Sequence, residues 1–320
     1  MKQISSIVFS ITMAAATAAA GVSPVLLNLV MPDASVVSGM NVDQSATSPF
    51  GQYILSQMQF NDNEFVQFIS STGFDPRKDL HEIVAATPAT GASTTHSALI
   101  LGRGVFNAAM IVSSATAQGG VVTNYHGYNM IGPPSGQSGD AVALTFLDGA
   151  TAAMGDALSV KGVIDRWAAR ATYTGALAQT AVLVSGSNSA WFATNTPLSD
   201  FMSTKQGANL GPISQSGLIQ NITAASGGVL FGSTAITVSA DAVTVSPQNA
   251  QALVDVLKFF VSMIAGNANA PAGVTSIAST AQFSVNGSTA HISLLLPEAQ
   301  VEQLLMPQAN SKRKRSAAQR

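Results

Sequence analysis

Two short turn signals, each between strand-like runs, most constrain how this chain can fold. Asp148-Gly149 separates runs at 142–147 and 151–154, and Asn286-Gly287 separates runs at 281–285 and 289–296. Asp-Gly and Asn-Gly favour the positive backbone angles of two-residue hairpin loops. Such loops join neighbouring antiparallel strands. The sequence therefore predicts two hairpins within an antiparallel sheet.

Helical patterns alternate with the strand-like runs. Ser246-Pro247 begins the clearest helix, where apolar residues recur at helical spacing as far as Ile264. Asp156 is placed to cap another helix, which runs to Trp167. Together the elements predict an α+β fold, with antiparallel sheet or sheets and helices packed on one face.

The order of elements nearly repeats along the chain. Residues 35–168 run from a strand through short helices and further strands to a helix, and residues 190–305 follow almost the same order. Two arrangements fit this pattern. One is a duplicated α+β unit, with a first unit at 21–170 and a second at 171–307. The other is one continuous sheet without internal symmetry.

The charge distribution bears on which partners the chain can take. Charged residues make up 9% of the chain, against about 25% in an average protein. Residues 21–310 carry eight basic and sixteen acidic side chains, so the body is acidic. Nucleic-acid binding depends on basic patches that neutralise phosphates. The composition therefore predicts no nucleic-acid partner.

The first twenty residues have the pattern of a secretory signal peptide. Lys2 precedes an apolar stretch from Ile4 to Met13, and an alanine-rich run then ends in Ala18-Ala19-Ala20. Small residues at this spacing are typical of a signal-peptidase site. We expect residues 1–20 to be removed and the protein to be secreted or periplasmic. The alternative is an uncleaved segment, residues 4–31, that tethers the protein to the membrane.

Two further observations favour release over anchoring. The chain contains no cysteine, so it cannot be lipid-modified at that residue. Asp255 and Lys258 interrupt the best later apolar stretch, Ala250–Ile264. We therefore expect no stable membrane span after the signal is cleaved.

None of the familiar catalytic, metal or cofactor motifs is complete. Gly102-Arg103-Gly104 is followed by Asn107 where a dinucleotide loop has its third glycine, so we expect an ordinary strand-to-helix turn there. Gly136-Gln137-Ser138-Gly139 misses the spacing of a serine nucleophile elbow. The four histidines are widely spaced, at positions 81, 96, 126 and 291. No cofactor or metal is predicted, and no catalytic residue can be assigned.

One short segment has the composition of a binding surface. It contains Asn124, Tyr125, His126, Tyr128 and Asn129, beside a loop rich in glycine and proline. On a single strand over Val121–Ile131, Asn124, His126 and Tyr128 would share one face. Aromatic rings beside amides suit a small molecule, a glycan or a peptide. The alternative is a half-exposed strand whose tyrosine rings cover the sheet.

The early part of the chain resembles uncharacterised exported bacterial proteins. The resemblance covers roughly residues 26–86 and depends on Met31-Pro32-Asp33-Ala34, Gly39, Ser48-Pro49-Phe50-Gly51-Gln52 and Gly73-Phe74-Asp75-Pro76-Arg77-Lys78-Asp79-Leu80. It implies a signal or anchor followed by repeated α+β units. These motifs are caps and turns, so the resemblance transfers no functional residue.

The end of the chain is basic, and we expect residues 308–320 to be a disordered tail. Lys312-Arg313-Lys314-Arg315 gives this tail a weak attraction for polyanions. For the protein as a whole, three hypotheses remain. The preferred one is an exported, non-enzymatic binding or scaffold protein. The alternatives are a hydrolase whose site is assembled from distant residues, and a structural, self-assembling surface protein.

Overall fold

The fold was examined in a computed structural model. The structure describes residues 21–57, 63–88, 98–134, 142–197, 217–267, 272–298 and 300–301. The predicted signal peptide and basic tail, His96 and the Gly136–Gly139 segment lie outside these ranges.

The described residues form twelve strands. Their bounds are β1 Ala34–Asn41, β2 Leu80–Pro88, β3 Leu99–Gly104, β4 Gly120–Tyr125, β5 Tyr128–Pro134, β6 Val142–Phe146, β7 Thr151–Asp156, β8 Ala190–Thr194, β9 Ile222–Phe231, β10 Ala235–Thr244, β11 Gln282–Asn286 and β12 Thr289–Pro297. The two predicted hairpins are confirmed, since β6 pairs with β7 and β11 with β12. The turn expected at Gly102–Gly104 is wrong, because these residues extend β3 and pair with β2.

The same ranges contain ten α-helices. Their bounds are α1 Pro24–Leu27, α2 Val42–Thr47, α3 Pro49–Gln57, α4 Asn63–Thr72, α5 Pro76–Asp79, α6 Ala108–Ala117, α7 Ala157–Ala168, α8 Ala176–Ser185, α9 Pro247–Ala265 and α10 Ala272–Ala278. None of them is both long enough and apolar enough to cross a membrane. Asp156 caps α7 as expected, and its carboxylate accepts the backbone N–H groups of Leu158 and Ser159 at 2.9 Å each.

All twelve strands belong to one antiparallel sheet, which confirms the α+β class. The order across the sheet is β11-β12-β10-β9-β8-β1-β2-β3-β7-β6-β5-β4. β1 and β8 pair at the centre. From the centre, β1, β2 and β3 are neighbours in one half, and β8, β9 and β10 in the other. The last strand of each half along the chain then pairs with the third: β7 with β3, and β12 with β10. The two halves therefore share one order of connections within one sheet, while a duplicated unit remains a prediction.

The larger core lies on one face of the sheet, beneath α1, α7 and α8. Its central side chains include Val37, Val84 and Leu101 from the strands, with Leu26 and Ile164 from the helices. Each of these five is fully buried or nearly so. Cross-strand neighbours point to the same side of a sheet, so this face can be followed from strand to strand.

The smaller core lies on the opposite face, beneath α9. Val37 of the larger core pairs with Ala193, Ala193 pairs with Ser226, and Ser226 pairs with Asp241. These four side chains therefore point to the face that bears the larger core. Ala242 comes next to Asp241 along β10, so its side chain points the other way. There it meets Ala250, Leu253 and Val254 of α9. Each core therefore has its helices on one face, and the two cores use opposite faces.

Candidate functional site

The aromatic segment predicted as a binding surface is a hairpin rather than one strand. β4 and β5 meet at His126-Gly127, where both residues have positive φ, +50° and +88°. Tyr125 pairs with Tyr128, and Asn124 with Asn129. The predicted grouping of Asn124, His126 and Tyr128 on one face is therefore wrong. The chain reverses at His126, so the tyrosines share one face and the asparagines share the other.

On the tyrosine side, the hairpin packs against α7. The Tyr125 hydroxyl donates to Asp165 Oδ2 at 3.3 Å, and Lys161 Nζ lies 5.4 Å from the centre of the Tyr125 ring. Partial burial raises the pKa of Tyr125, and the Asp165 carboxylate raises it further. His126 Nε2 is 3.9 Å from Asp165 Oδ1, beyond hydrogen-bond range. These contacts attach the hairpin to the helix.

On the asparagine side, the hairpin faces α6 across a cleft of about 550 Å³. Asn129 contributes to its wall, and Tyr128 borders the cleft although its side chain projects from the other face. The Asn124 amide donates to Asn129 Oδ1 at 3.3 Å, and Asn124 Oδ1 accepts from Gly127 N at 3.1 Å. The amides therefore stabilise the hairpin itself. The five predicted residues do not form one surface, and their role in binding remains a prediction.

Two other histidines lie beside carboxylates. His291 Nδ1 is 2.8 Å from Asp241 Oδ1, and His81 Nδ1 is 2.9 Å from Asp43 Oδ1. Serines flank the first pair on neighbouring strands. Within the described ranges, however, no histidine hydrogen-bonds both a carboxylate and a hydroxyl, as a serine hydrolase requires. The same residues contain no cluster of three or more metal-ligating side chains.

A cavity of about 560 Å³ lies between α9 and the face of the sheet that bears the smaller core. Its floor comes from β1, β8, β9, β10 and β12, and its lining is mostly aliphatic and aromatic. The lining side chains on this face are Val36, Ser38, Phe192, Thr194, Ala225, Ala240, Ala242, Ala290 and Ile292, with Leu253 and Leu257 from α9. Four of the strand residues are alanines, and short side chains on facing strands leave space beneath the helix.

The roof of the cavity is fixed by the start of α9. Ser246 Oγ accepts the Asn249 backbone N–H at 3.2 Å, and Pro247 occupies the first turn. Leu253 and Val254 are buried. Leu257, one turn beyond Leu253, is only partly covered and lines the cavity. The helix is therefore held at its N-terminal half, and Leu253 and Leu257 lie over the cavity.

Polar groups on the cavity wall are few. The Thr194 hydroxyl donates to Ser35 O at 2.9 Å and accepts from Thr196 N at 3.0 Å, so it is satisfied within the protein. The Ser38 hydroxyl makes no hydrogen bond to any described residue. Ser226, Asp241 and His291 also border the cavity, but strand alternation directs their side chains to the opposite face. Ser38 is thus the hydroxyl available to an occupant.

Phe192 shows that the cavity wall is accessible. This side chain is 39% exposed although it lines an apolar space. An exposed aromatic ring beside an unfilled apolar cavity is a feature of ligand sites. Sequence reasoning missed this site, because no single motif contains it. The available signal was the alternation of alanines on strands facing the clearest amphipathic helix.

Comparison with known proteins defines the limits of similarity. No protein-family model matches the chain, and no curated protein is significantly similar to it. Solved structures of crystal forms III and IV of TP0453 are similar in fold, each with a TM-score of 0.50. The identities are 11% and 9%, over 88% and 89% of this chain and 96% and 97% of the TP0453 chains. At such identities the similarity shows a shared α+β fold alone.

Proposed function

We propose that this chain is an exported, non-enzymatic binding protein whose ligand is a small molecule with an apolar chain and a neutral polar end. The observation that carries the proposal is the cavity beneath α9. Its volume of about 560 Å³ falls within the range of about 300–1,000 Å³ typical of small-molecule sites.

The chemistry of the wall sets the ligand class. Alanine, leucine and phenylalanine side chains favour methylene groups, each worth about 0.8 kcal/mol on burial. The unpartnered Ser38 hydroxyl favours a hydrogen-bonding group at one end of the ligand. The described lining residues include no lysine or arginine, and the Asp241 side chain points away from the space. A neutral hydroxyl or ester therefore suits the site better than a charged group.

Catalysis has less support than binding. The described histidines that pair with carboxylates do not hydrogen-bond a nucleophile. His291 projects away from the cavity, and His81 is not among its described lining residues. The hydrolase hypothesis nevertheless remains a prediction. So does self-assembly, for which the described sheet edges, β4 and β11, are only six and five residues long.

Binding is tested by displacement of the neutral fluorescent probe 1-N-phenylnaphthylamine by 1-octanol, 1-decanol and 1-dodecanol. We expect the dissociation constant to fall about 15-fold for each added pair of methylenes, until the cavity is filled. Ser38→Ala should weaken 1-decanol binding more than dodecane binding, because only the alcohol can hydrogen-bond the serine. Failure of the probe to bind, or affinity independent of chain length, would contradict the proposal.

Export is tested separately. N-terminal sequencing of the protein from fractionated cells should give a mature chain that begins after Ala18 or Ala20. A chain that retains Lys2 and sediments with membranes would favour the tethered alternative. This outcome would leave the cavity proposal untouched, since all the described residues that line the cavity lie beyond position 35.

A further inference from the structure

A second cleft, of about 380 Å³, lies between α1 and the C-terminal end of α7, on the other face of the sheet from the cavity. It is lined by two arginines, Arg166 and Arg170, together with Trp167, Asn28, Val25 and Leu29. Cationic and apolar groups therefore face the same space. This combination differs from the cavity beneath α9, where no arginine is found among the described lining residues.

Arg166 lines this cleft and also has an unsatisfied donor. Its Nε donates to Leu29 O at 3.0 Å, which joins α7 to the segment after α1. Its Nη2 is buried and has no hydrogen-bond partner among the described residues. A buried donor without a partner destabilises a protein, more so when it is charged. The link to Leu29 accounts for Nε but leaves Nη2 unexplained.

The position of the guanidinium depends on Gly162, one turn earlier on α7. A Cβ at this position would lie 3.0 Å from Arg166 Nη1 and 3.7 Å from Nη2. Glycine is unfavourable within a helix compared with alanine. Its absence of a side chain lets the guanidinium pack against the helix backbone and remain in the cleft.

Arg170 occupies a position where glycine is usual. Its N–H donates to Trp167 O, and Ala171 N donates to Arg166 O, at 3.1 and 3.0 Å. These two bonds form a Schellman motif, in which the residue with positive φ is commonly glycine. Arg170 adopts φ +50° nonetheless. Cations do stabilise helix C-termini, but that effect requires neither the strained backbone nor the buried Nη2.

We propose that this cleft binds a small organic carboxylate with an apolar or aromatic body. A planar carboxylate matches the two-pronged geometry of a guanidinium, and both Arg166 and Arg170 line the cleft. Trp167, Val25 and Leu29 supply an apolar wall for the body of the ligand. Asn28 also lines the cleft, and since its Oδ1 already accepts from Tyr173 N at 3.0 Å, its amide nitrogen is left to donate to a ligand.

Two acidic groups lie near the arginines. Burial lowers the pKa of Arg166, while the Asp33 and Asp165 carboxylates oppose that effect. Neither carboxylate comes within ion-pair distance of Arg166 in the part of the chain that the structure describes. Asp33 therefore competes weakly with an incoming carboxylate, and Asp33→Asn should tighten binding by about 1.5- to 5-fold.

The test is a titration of the protein with phenylacetate. Binding is measured by calorimetry and by NMR of the indole N–H groups of the two tryptophans. Trp167 should shift while Trp191, buried in the larger core, should not. Arg166→Gln should weaken binding by roughly 10- to 150-fold. Lys78→Gln, which removes one charge from exposed α5, is the matched control and should bind like the wild type.

Gly162→Ala distinguishes binding from folding. Alanine favours the helix, which offsets loss of the Arg166 Nε–Leu29 O hydrogen bond, so the variant should unfold about as readily as the wild type. It should bind phenylacetate less tightly because the guanidinium is displaced. Unchanged affinity in both Gly162→Ala and Arg166→Gln would overturn the proposal. So would equally tight binding of inorganic phosphate, which lacks an apolar body, or a shift of Trp191 in place of Trp167. These outcomes do not depend on how neutral alcohols bind beneath α9.

Discussion

Ala225→Leu should block the cavity beneath α9. Ala225 lies on β9 and pairs with Ala242 of β10, whose side chain belongs to the smaller core. Both side chains therefore point toward α9. The substitution adds three carbon atoms to the cavity wall, in a space that the ligand's chain would otherwise occupy.

The expected loss follows from the methylenes displaced. Each buried methylene contributes about 0.8 kcal/mol, so three contribute about 2.4 kcal/mol, or roughly a 60-fold weaker affinity for 1-decanol. The free energy of unfolding should change little or rise, because the added carbons fill existing space. The substitution should therefore weaken the binding of 1-decanol without lowering the free energy of unfolding.

Ala224→Leu is the matched control. Ala224 precedes Ala225 on the same strand and pairs with Val243, so its side chain projects from the opposite face. Probe displacement by 1-decanol measures both variants, with urea denaturation as the measure of folding. The control should bind within about twofold of the wild type, a difference of about 0.4 kcal/mol. Equal weakening by both substitutions, or by neither, would refute the assignment of the cavity.

Three further predictions concern stability. Arg77 hydrogen-bonds the Asp75 carboxylate at 2.7 and 2.8 Å and lowers the pKa of Asp75. The ionised Asp75 carboxylate therefore stabilises the fold above the usual carboxyl pKa of about 4. This stabilisation is lost as the pH falls through the lower pKa that Asp75 has in the folded protein. The gap in unfolding free energy between wild type and Asp75→Asn should narrow from pH 7 to pH 3, and a constant gap would refute this. Asp156→Ala removes the cap of α7 and should cost about 0.5–2 kcal/mol in urea denaturation; no loss would contradict the cap. Leu101→Ala, at a fully buried position, should cost about 2.7–5 kcal/mol, and Leu183→Ala, 75% exposed, less than about 0.5 kcal/mol, as measured by the same method.

Local signals in the sequence predicted much of the fold. Asn286-Gly287 and Asp148-Gly149 marked both hairpins because a local pair of residues favours reversal of the chain, although of these four residues only Gly287 has positive φ. Ser246-Pro247 and Asp156 marked helix starts for the same reason. Where a residue pair or a cap determines the backbone, no information from distant parts of the chain is needed.

Errors occurred where a local signal was weak or overridden. Gly102-Arg103-Gly104 suggested a turn, but Arg103 pairs with Glu82, and its Nε lies 3.3 Å from Glu82 Oε2 across the strands. Pairing with β2 therefore outweighs the flexibility of the glycines. At His126-Gly127, a residue other than Asn or Asp takes positive φ, so the hairpin lacked its usual sequence signature.

The candidate sites could not be predicted, since each is assembled from distant segments. The cavity combines β1, β8 and β12 with α9, and the cleft combines Asn28 with Arg166 and Arg170. An alanine on a strand reveals its spare volume only once the opposite helix is placed. An arginine at the end of a helix looks like an ordinary cap until its Nη2 is found buried without a partner.

The most direct test of the proposed function is to locate a bound ligand. Crystals of the protein grown with 10-bromo-1-decanol would reveal the bromine by its anomalous scattering. The bromine should lie within the cavity between α9 and the sheet, near Ala225 and Leu257, and the hydroxyl should lie within hydrogen-bond distance of Ser38. A bromine peak elsewhere on the protein, with the cavity unfilled, would contradict the proposed function.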